Sequence, residues 1–216
     1  MTTVAEETTS TAARRPRRLG SLGVVVDRRL KRLQEDYLRG SSSARADLAK
    51  LRRGLGKPAG VIPEIWELTI ALVPASLQAD QFDDDTPTVA EQAAHSVLTL
   101  FAAHQQSMPV AAHVPEVSFG AAVALLAQHD GRSADAVARR FMAVATAQSI
   151  DEVLVHVRGL VTQLRSARHG FDYARLADDI TDLLTPGRAQ RVRRAWGREF
   201  YRAPAPTEPD PTDDDR

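Results

Sequence analysis

Residues 149–166 read SIDEVLVHVRGLVTQLRS, and their spacing decides the fold class. Val153, Leu154, Val157, Leu160, Val161 and Leu164 recur three and four apart, so at 100° per residue they line one side of an α-helix. Ser149 stands where an N-cap belongs, and Glu152 three residues later predicts a capping box. Arg158 and Arg165 are seven apart and stack beside the apolar face.

The same period repeats outward in both directions. Toward the C-terminus, Asp172 opens a helix to about Leu184, and Pro186 starts a last one to about Arg202. Toward the N-terminus, Ser133 and Ser118 precede helices over 134–147 and 119–128, and Thr88 opens a long helix to about Gln106. Pro63 suits the first turn of a helix through Ile65-Trp66-Glu67-Leu68 that Pro74 closes. Ser43 caps a helix with Ala44, Leu48, Leu51 and Leu55 inward, while Val26, Leu30, Leu33 and Tyr37 mark a first helix ended by Gly40. The expected fold is all-α, two packed bundles of about eight to nine helices without a sheet, because short connections favour antiparallel neighbours. The loop 107–117, with Pro109 and Pro115, separates an expected N-terminal helical subdomain, 23–112, from a C-terminal bundle, 113–202. The flanks, 1–22 and the Pro- and Asp-rich 203–216, lack apolar periodicity and read as disordered tails.

Charge is segregated although the formal net charge is zero. No Lys or Arg occurs between Lys57 and Arg132, a stretch that holds nine acidic residues. Residues 14–57 carry fourteen basic residues against four acidic ones, and 132–202 carry thirteen against eight. Such a distribution makes a directional field suited to a polyanion or to an acidic–basic protein contact. With no cysteine there is no disulfide frame, thiolate metal site or cysteine nucleophile. No run approaches the roughly 18 apolar residues of a membrane helix. The Arg14-Arg15 pair does not open an export signal, because the apolar run behind it stops at Asp27-Arg28-Arg29, so the expected location is the cytoplasm.

Catalytic and metal patterns are missing. His95 and His104 are nine apart on one helix, His113 lies beyond Pro109, and no HExxH occurs. Asp83-Asp84-Asp85 reads as a solvated turn. Gly54-Leu55-Gly56-Lys57 lacks the preceding strand, the spacing and the Ser or Thr of a phosphate loop. No cofactor is expected. The arginines carry more information. Arg188, Arg191, Arg194, Arg198 and Arg202 step by three and four, a stripe roughly 20 Å long, while Val192, Trp196 and Phe200 form a separate apolar ridge. Arg139 and Arg140 lie outside Val137, Phe141 and Val144, and Arg45 and Arg52 are again seven apart. Arg191, Arg194, Arg158 and Arg165 have no acidic residue three or four positions away. Guanidinium matches phosphate bidentately, so these rows point to a nucleic-acid backbone. Trp196 and Phe200 read as core by their spacing, leaving Tyr201 to face outward.

Six segments, in order, carry a family resemblance: ARADLAKLRRG (44–54), SFG (118–120), RRF (139–141), HVRGLV (156–161), DYARLA (172–177) and VRRAWGREFY (192–201). Together they resemble the small subunit, the CasB family, of the type I-E CRISPR surveillance complex Cascade, over about 24–202. The resemblance implies a two-part helical, non-catalytic subunit present as a head-to-tail pair. Its partners would be the backbone and large subunits, a second copy of itself, the guide RNA complex, and the target and displaced DNA strands. Cleavage would belong to a separate helicase-nuclease. Matching motifs carry Arg139, Arg140, Arg158 and the arginines at 188–194 over as strand contacts; Arg45, Arg52 and Arg53 match as strand or subunit contacts. The competing class is a helix-turn-helix regulator, against which stands the absence of a short turn followed by a polar recognition helix.

Overall fold

The computed structural model describes residues 17–78, 86–129 and 131–202. The tail segments 1–16 and 203–216, and the Asp83-Asp84-Asp85 turn, lie outside the described residues. Eight α-helices follow one another: α1 (Ser21–Leu38), α2 (Ser42–Arg53), α3 (Val89–Gln105), α4 (Phe119–Ala127), α5 (Ala134–Thr146), α6 (Ile150–Ser166), α7 (Tyr173–Leu184) and α8 (Ala189–Arg202). Among the described residues there is no strand; His113 and Phe171 make one isolated parallel bridge.

Side chains start the helices largely where the sequence places them. Thr88, Ser118, Ser133, Ser149 and Asp172 each accept the backbone N–H three residues on. Three expectations need correction. Ser41, not Ser43, caps α2, accepting from the Ala44 amide at 3.3 Å. Glu152 does not return to Ser149; it accepts from the Gln148 amide at 2.7 Å, and the reciprocal capping box forms instead between Thr88 and Glu91. The stretch from Pro63 to Pro74 is not one helix. Three 3₁₀ turns, Pro63–Ile65, Ile70–Leu72 and Ala75–Leu77, carry the chain across the surface. Ile62, Ile65, Leu68, Thr69 and Val73 are buried along it, and Trp66 is left 47 % exposed.

The core accounts for part of the stretch without basic residues. Fourteen of the seventeen residues of α3 are buried, because α1, α2, α6 and α7 all pack against it. The uncharged α4 is likewise mostly buried, against α8 and α5. At all but a few positions of either helix, such as Val89 and Leu125, a lysine or arginine would have no route to water. The stretch without basic residues therefore holds the two most enclosed helices. Of its acidic residues, Glu64, Glu67 and Glu116 are exposed, and Glu91 is buried in its cap.

Two glycines allow helix backbones to meet. A Cβ on Gly23 would lie 2.3 Å from Asp178 Oδ2 and 2.9 Å from the Ala174 carbonyl, so α1 and α7 touch through bare backbone. Asp178 accepts the Gly20 and Gly23 amides at 2.7 and 2.9 Å, capping α1 from α7. A Cβ on Gly120 would lie 2.5 Å from the Trp196 carbonyl, which sets how closely α4 approaches α8.

A buried ionic cluster ties the first described residue to the second half of the chain. Arg17 donates through Nε and Nη2 to both oxygens of Asp172, each at 2.5 Å, and through Nη1 to Asp27 at 2.7 Å. The Asp172 side chain is fully buried and also accepts the Glu116 and Arg175 amides. His113 Nδ1 accepts the Tyr173 amide at 3.1 Å, so the proton is on Nε2, which donates to Asp27 Oδ1 at 3.1 Å. Burial, only partly offset by Asp27 and Asp172, lowers the His113 pKa and keeps the ring neutral. Burial alone would raise Asp27, but hydrogen bonds from Lys31, Arg17 and His113 outweigh it and hold its pKa at about 2.

Asp179 shows the opposite balance. Burial pushes its pKa up to about 7, and the Trp196 indole, donating at 2.7 Å, offsets this only in part. A carboxyl whose pKa is raised on folding stabilises fully below its unfolded value near 4 and loses that contribution as pH rises through 7. Asp179→Asn is therefore expected to match the parent's melting temperature near pH 4. At pH 8 it should exceed the parent by on the order of 1–2 kcal/mol. Equal melting at both pH values would show that the carboxylate is solvated.

Candidate nucleic-acid interface

The arginines singled out from the sequence divide by what their guanidinium groups touch. Arg45 and Arg53 on α2, Arg139 and Arg140 on α5, Arg158 on α6 and Arg194 on α8 are exposed, and Arg52 is half-buried. Among the described residues none of these seven side chains has an acidic partner. Arg165 is half-buried; it donates to the Ala103 carbonyl at 3.2 Å and to Gln106, which ties α6 to the end of α3. Arg188 and Arg191 meet Asp182 of α7, at 3.2 and 2.9 Å. Their charge is thus shared with a neighbouring helix, an arrangement that spacing along their own helix did not reveal.

The apolar ridge of α8 points inward. Trp196 is 2 % exposed and packs against Phe119 with ring centroids 5.1 Å apart. Phe200 stacks on Phe141 at 4.4 Å, while Tyr201 is 69 % exposed, its hydroxyl 3.8 Å from Met142 Sδ. Of the stripe on this helix, Arg194, Arg198 and Arg202 remain exposed without an acidic partner among the described residues.

Two groupings were not apparent in the sequence. Arg28 and Arg32 are exposed one turn apart on α1, and with Arg29, Val25 and Leu72 they line a groove of about 370 Å³. Arg29 itself is paired with Asp47 of α2 at 3.2 Å. Lys57 and Arg158, far apart in sequence, line one cavity between the end of α2, α3 and the start of α6. The spacing of Arg28 and Arg32 along the first helix could have flagged the former; nothing local signals the latter.

The buried histidines serve the fold. His95 Nε2 donates to the Gly54 carbonyl at 3.0 Å, and His104 Nδ1 pairs with the Tyr173 hydroxyl at 2.9 Å. Burial lowers both, His104 to about 3. Among the described residues no three His, Asp or Glu side chains gather as a metal site, and no helix is long and apolar enough to cross a membrane.

The molecule is thus an all-α protein with charged rows carried on helices that are anchored in a shared core. Comparison supplies its family. The sequence matches the family model for CRISPR-associated protein Cse2 over residues 47–201, and the chain belongs to that family. It is 35 % identical to CasB from Thermobifida fusca, with a TM-score of 0.70 over 85 % of this chain and 99 % of that one. CasB from Thermus thermophilus is 25 % identical, with a TM-score of 0.61 over 85 % of this chain and 99 % of that one. A chain of a solved CRISPR RNA-guided surveillance complex shares the fold at 23 % identity, with a TM-score of 0.63 over 84 % and 94 % of the two chains. A comparison with curated protein sequences gives no match.

Proposed function

We propose that this chain is the small, non-catalytic subunit of a type I-E CRISPR RNA-guided surveillance complex. In this reading its arginine surface holds the target and displaced DNA strands by their phosphates while the guide RNA pairs. The observation that carries it is the set of seven arginines on α2, α5, α6 and α8 that lack acidic partners among the described residues, in a chain of the Cse2 family. Base pairing reads the sequence in such complexes, so the protein needs a backbone-binding channel and no base-reading helix. Its partners are the backbone and large subunits, the guide RNA they carry, and a second copy of this chain. The chain of the same fold in a solved surveillance complex supports the assembly.

The test is salt dependence. Each phosphate neutralised on a single strand contributes about −0.7 to the slope of log K against log salt. Arg139→Ala, Arg140→Ala, Arg158→Ala and Arg194→Ala combined are expected to flatten that slope by roughly 3 units on any base sequence. Arg188→Ala with Arg191→Ala should change it less, because Asp182 already shares their charge. The charge-matched control is Arg14→Ala, Arg15→Ala, Arg18→Ala and Arg39→Ala, which spares the structural Arg17. If the control flattens the slope as much as the helix set, binding is diffuse positive charge and the assignment of these rows fails. A sequence-selective footprint on duplex DNA would favour a regulator instead.

A further inference from the structure

The Gly54-Leu55-Gly56-Lys57 turn, which fails as a phosphate loop on sequence grounds, forms one wall of a cavity of about 330 Å³. Gly56 adopts a positive φ of 77°, and a Cβ placed there would lie 3.6 Å from Arg158 Nη1, so the turn runs beneath the Arg158 guanidinium. The opposite walls are α3 and the first two turns of α6. Inside, Leu55, Leu100, Ile150, Leu154 and Val155 supply apolar surface, and Val155 is 67 % exposed at the edge. Lys57 and Arg158 are both exposed, and among the described residues neither side chain has an ion pair or hydrogen bond.

The polar groups around the cavity are mostly engaged. Gln92 accepts the Ala59 amide and donates to Ser96; the Ser96 and Thr99 hydroxyls donate back to α3 carbonyls. The His95 ring donates through Nε2 to the Gly54 carbonyl and lies beside the Lys57 backbone. Asp151 is the one carboxylate in the lining, at the α6 end.

The lining suits a ligand that is anionic at one end and presents an apolar face at the other. The size falls at the low end of small-molecule sites, roughly 300–1,000 Å³, which suits a single nucleotide unit. We propose that this cavity is a nucleotide pocket: it takes one unstacked base of a bound DNA strand among Leu55, Ile150, Leu154 and Val155, while Lys57 and Arg158 hold the adjoining phosphates. The proposal rests on the strand-holding function above and adds to it a site that engages a base, not only the backbone. The lining is aliphatic, so the base is held by burial of its faces and not by aromatic stacking, and the pocket would fix the strand's register at one point without reading sequence.

Methyl NMR of the full chain tests this, with a short single-stranded oligodeoxyadenylate and an abasic strand of the same backbone as probes. The base-bearing strand is expected to shift the methyl signals of Leu55, Ile150, Leu154 and Val155, and the abasic strand is expected to bind yet leave them in place. Val155→Asn, a change at an exposed position that removes apolar surface without adding a ring or a charge, should weaken the base-bearing strand by roughly 3–10-fold and leave the abasic strand unaffected. Lys57→Gln with Arg158→Gln should weaken both strands. Strand binding with unmoved cavity methyls, or equal shifts from the abasic strand, overturns the pocket while leaving the strand-holding function intact. No strand binding at low salt overturns both. Saturation of the same shifts by free deoxyadenosine monophosphate at the strand's own affinity would make a free nucleotide the ligand and overturn the strand assignment. Shifts produced only by another protein subunit would make the cavity a protein-docking site and overturn the proposal.

Discussion

Asp172→Ala is expected to destabilise the protein by about 3–5 kcal/mol, the cost of leaving a buried charge without its partner. Asp172 is fully buried; its two oxygens take Arg17 bidentately, cap α7 at the Arg175 amide and accept the Glu116 amide. Alanine leaves the Arg17 guanidinium, 15 % exposed, facing Asp27 alone. For a chain of this size the loss reads as a fall in melting temperature of about 6–20 °C. Arg17→Met should cost a similar amount, because Asp172 is then the unpaired group. Arg17→Met combined with Asp172→Leu should recover much of it, as apolar replacement of a whole buried pair usually does. Additive losses in the double variant would show that each side chain acts alone. The same cluster sets an acid limit. Asp27, with a pKa lowered to about 2 on folding, contributes stability that is present above its ordinary value near 4 and lost as pH falls through 2.

Trp196→Ala is expected to cost about 3–5 kcal/mol, as large core aromatics do. The indole fills the space between α8 and α4 against Phe119, and its Nε1 is the donor that reaches Asp179. Trp196→Phe separates the two contributions. It keeps most of the packing and removes the donor, so its deficit should be smaller near pH 4, where Asp179 is protonated. The deficit should grow toward pH 8, where the unassisted carboxylate must ionise in the same place. Thermal melting of both variants at the two pH values checks this. A small, pH-independent effect of Trp196→Ala would place the ring at the surface and make it available to stack on bases.

Helix positions were legible because they depend on neighbours three and four residues away. The apolar spacing of 149–166 and the caps at Thr88, Ser118, Ser133, Ser149 and Asp172 express local physics, and the structure follows them. The inward ridge of Val192 and Trp196 was legible for the same reason. The 63–74 stretch misleads because proline at a helix start and at a helix end suits 3₁₀ turns equally well, and Ile62, Ile65, Thr69 and Val73 keep a spacing that an α-helix would also have. What depends on distant partners was not legible. Arg17 meets Asp172 across 155 positions, and Asp182 reaches Arg188 and Arg191 from another helix. The stretch lacking basic residues was visible, but its cause was not. Read as a surface property it suggested a field; in three dimensions it marks α3 and α4 as interior.

The enclosure of α3 has a mechanical consequence. Four helices lean on one that has almost no free surface, so α3 amides should exchange with deuterium only when the whole domain unfolds, more slowly than those of α5 or α8. The arginines of α2 and α6 are mounted directly on that axle. Sliding or swinging one of these helices past the other would break its packing on α3, so the two behave as a stiff rail. A change in the direction the two rows face must therefore come from the whole domain turning as one piece.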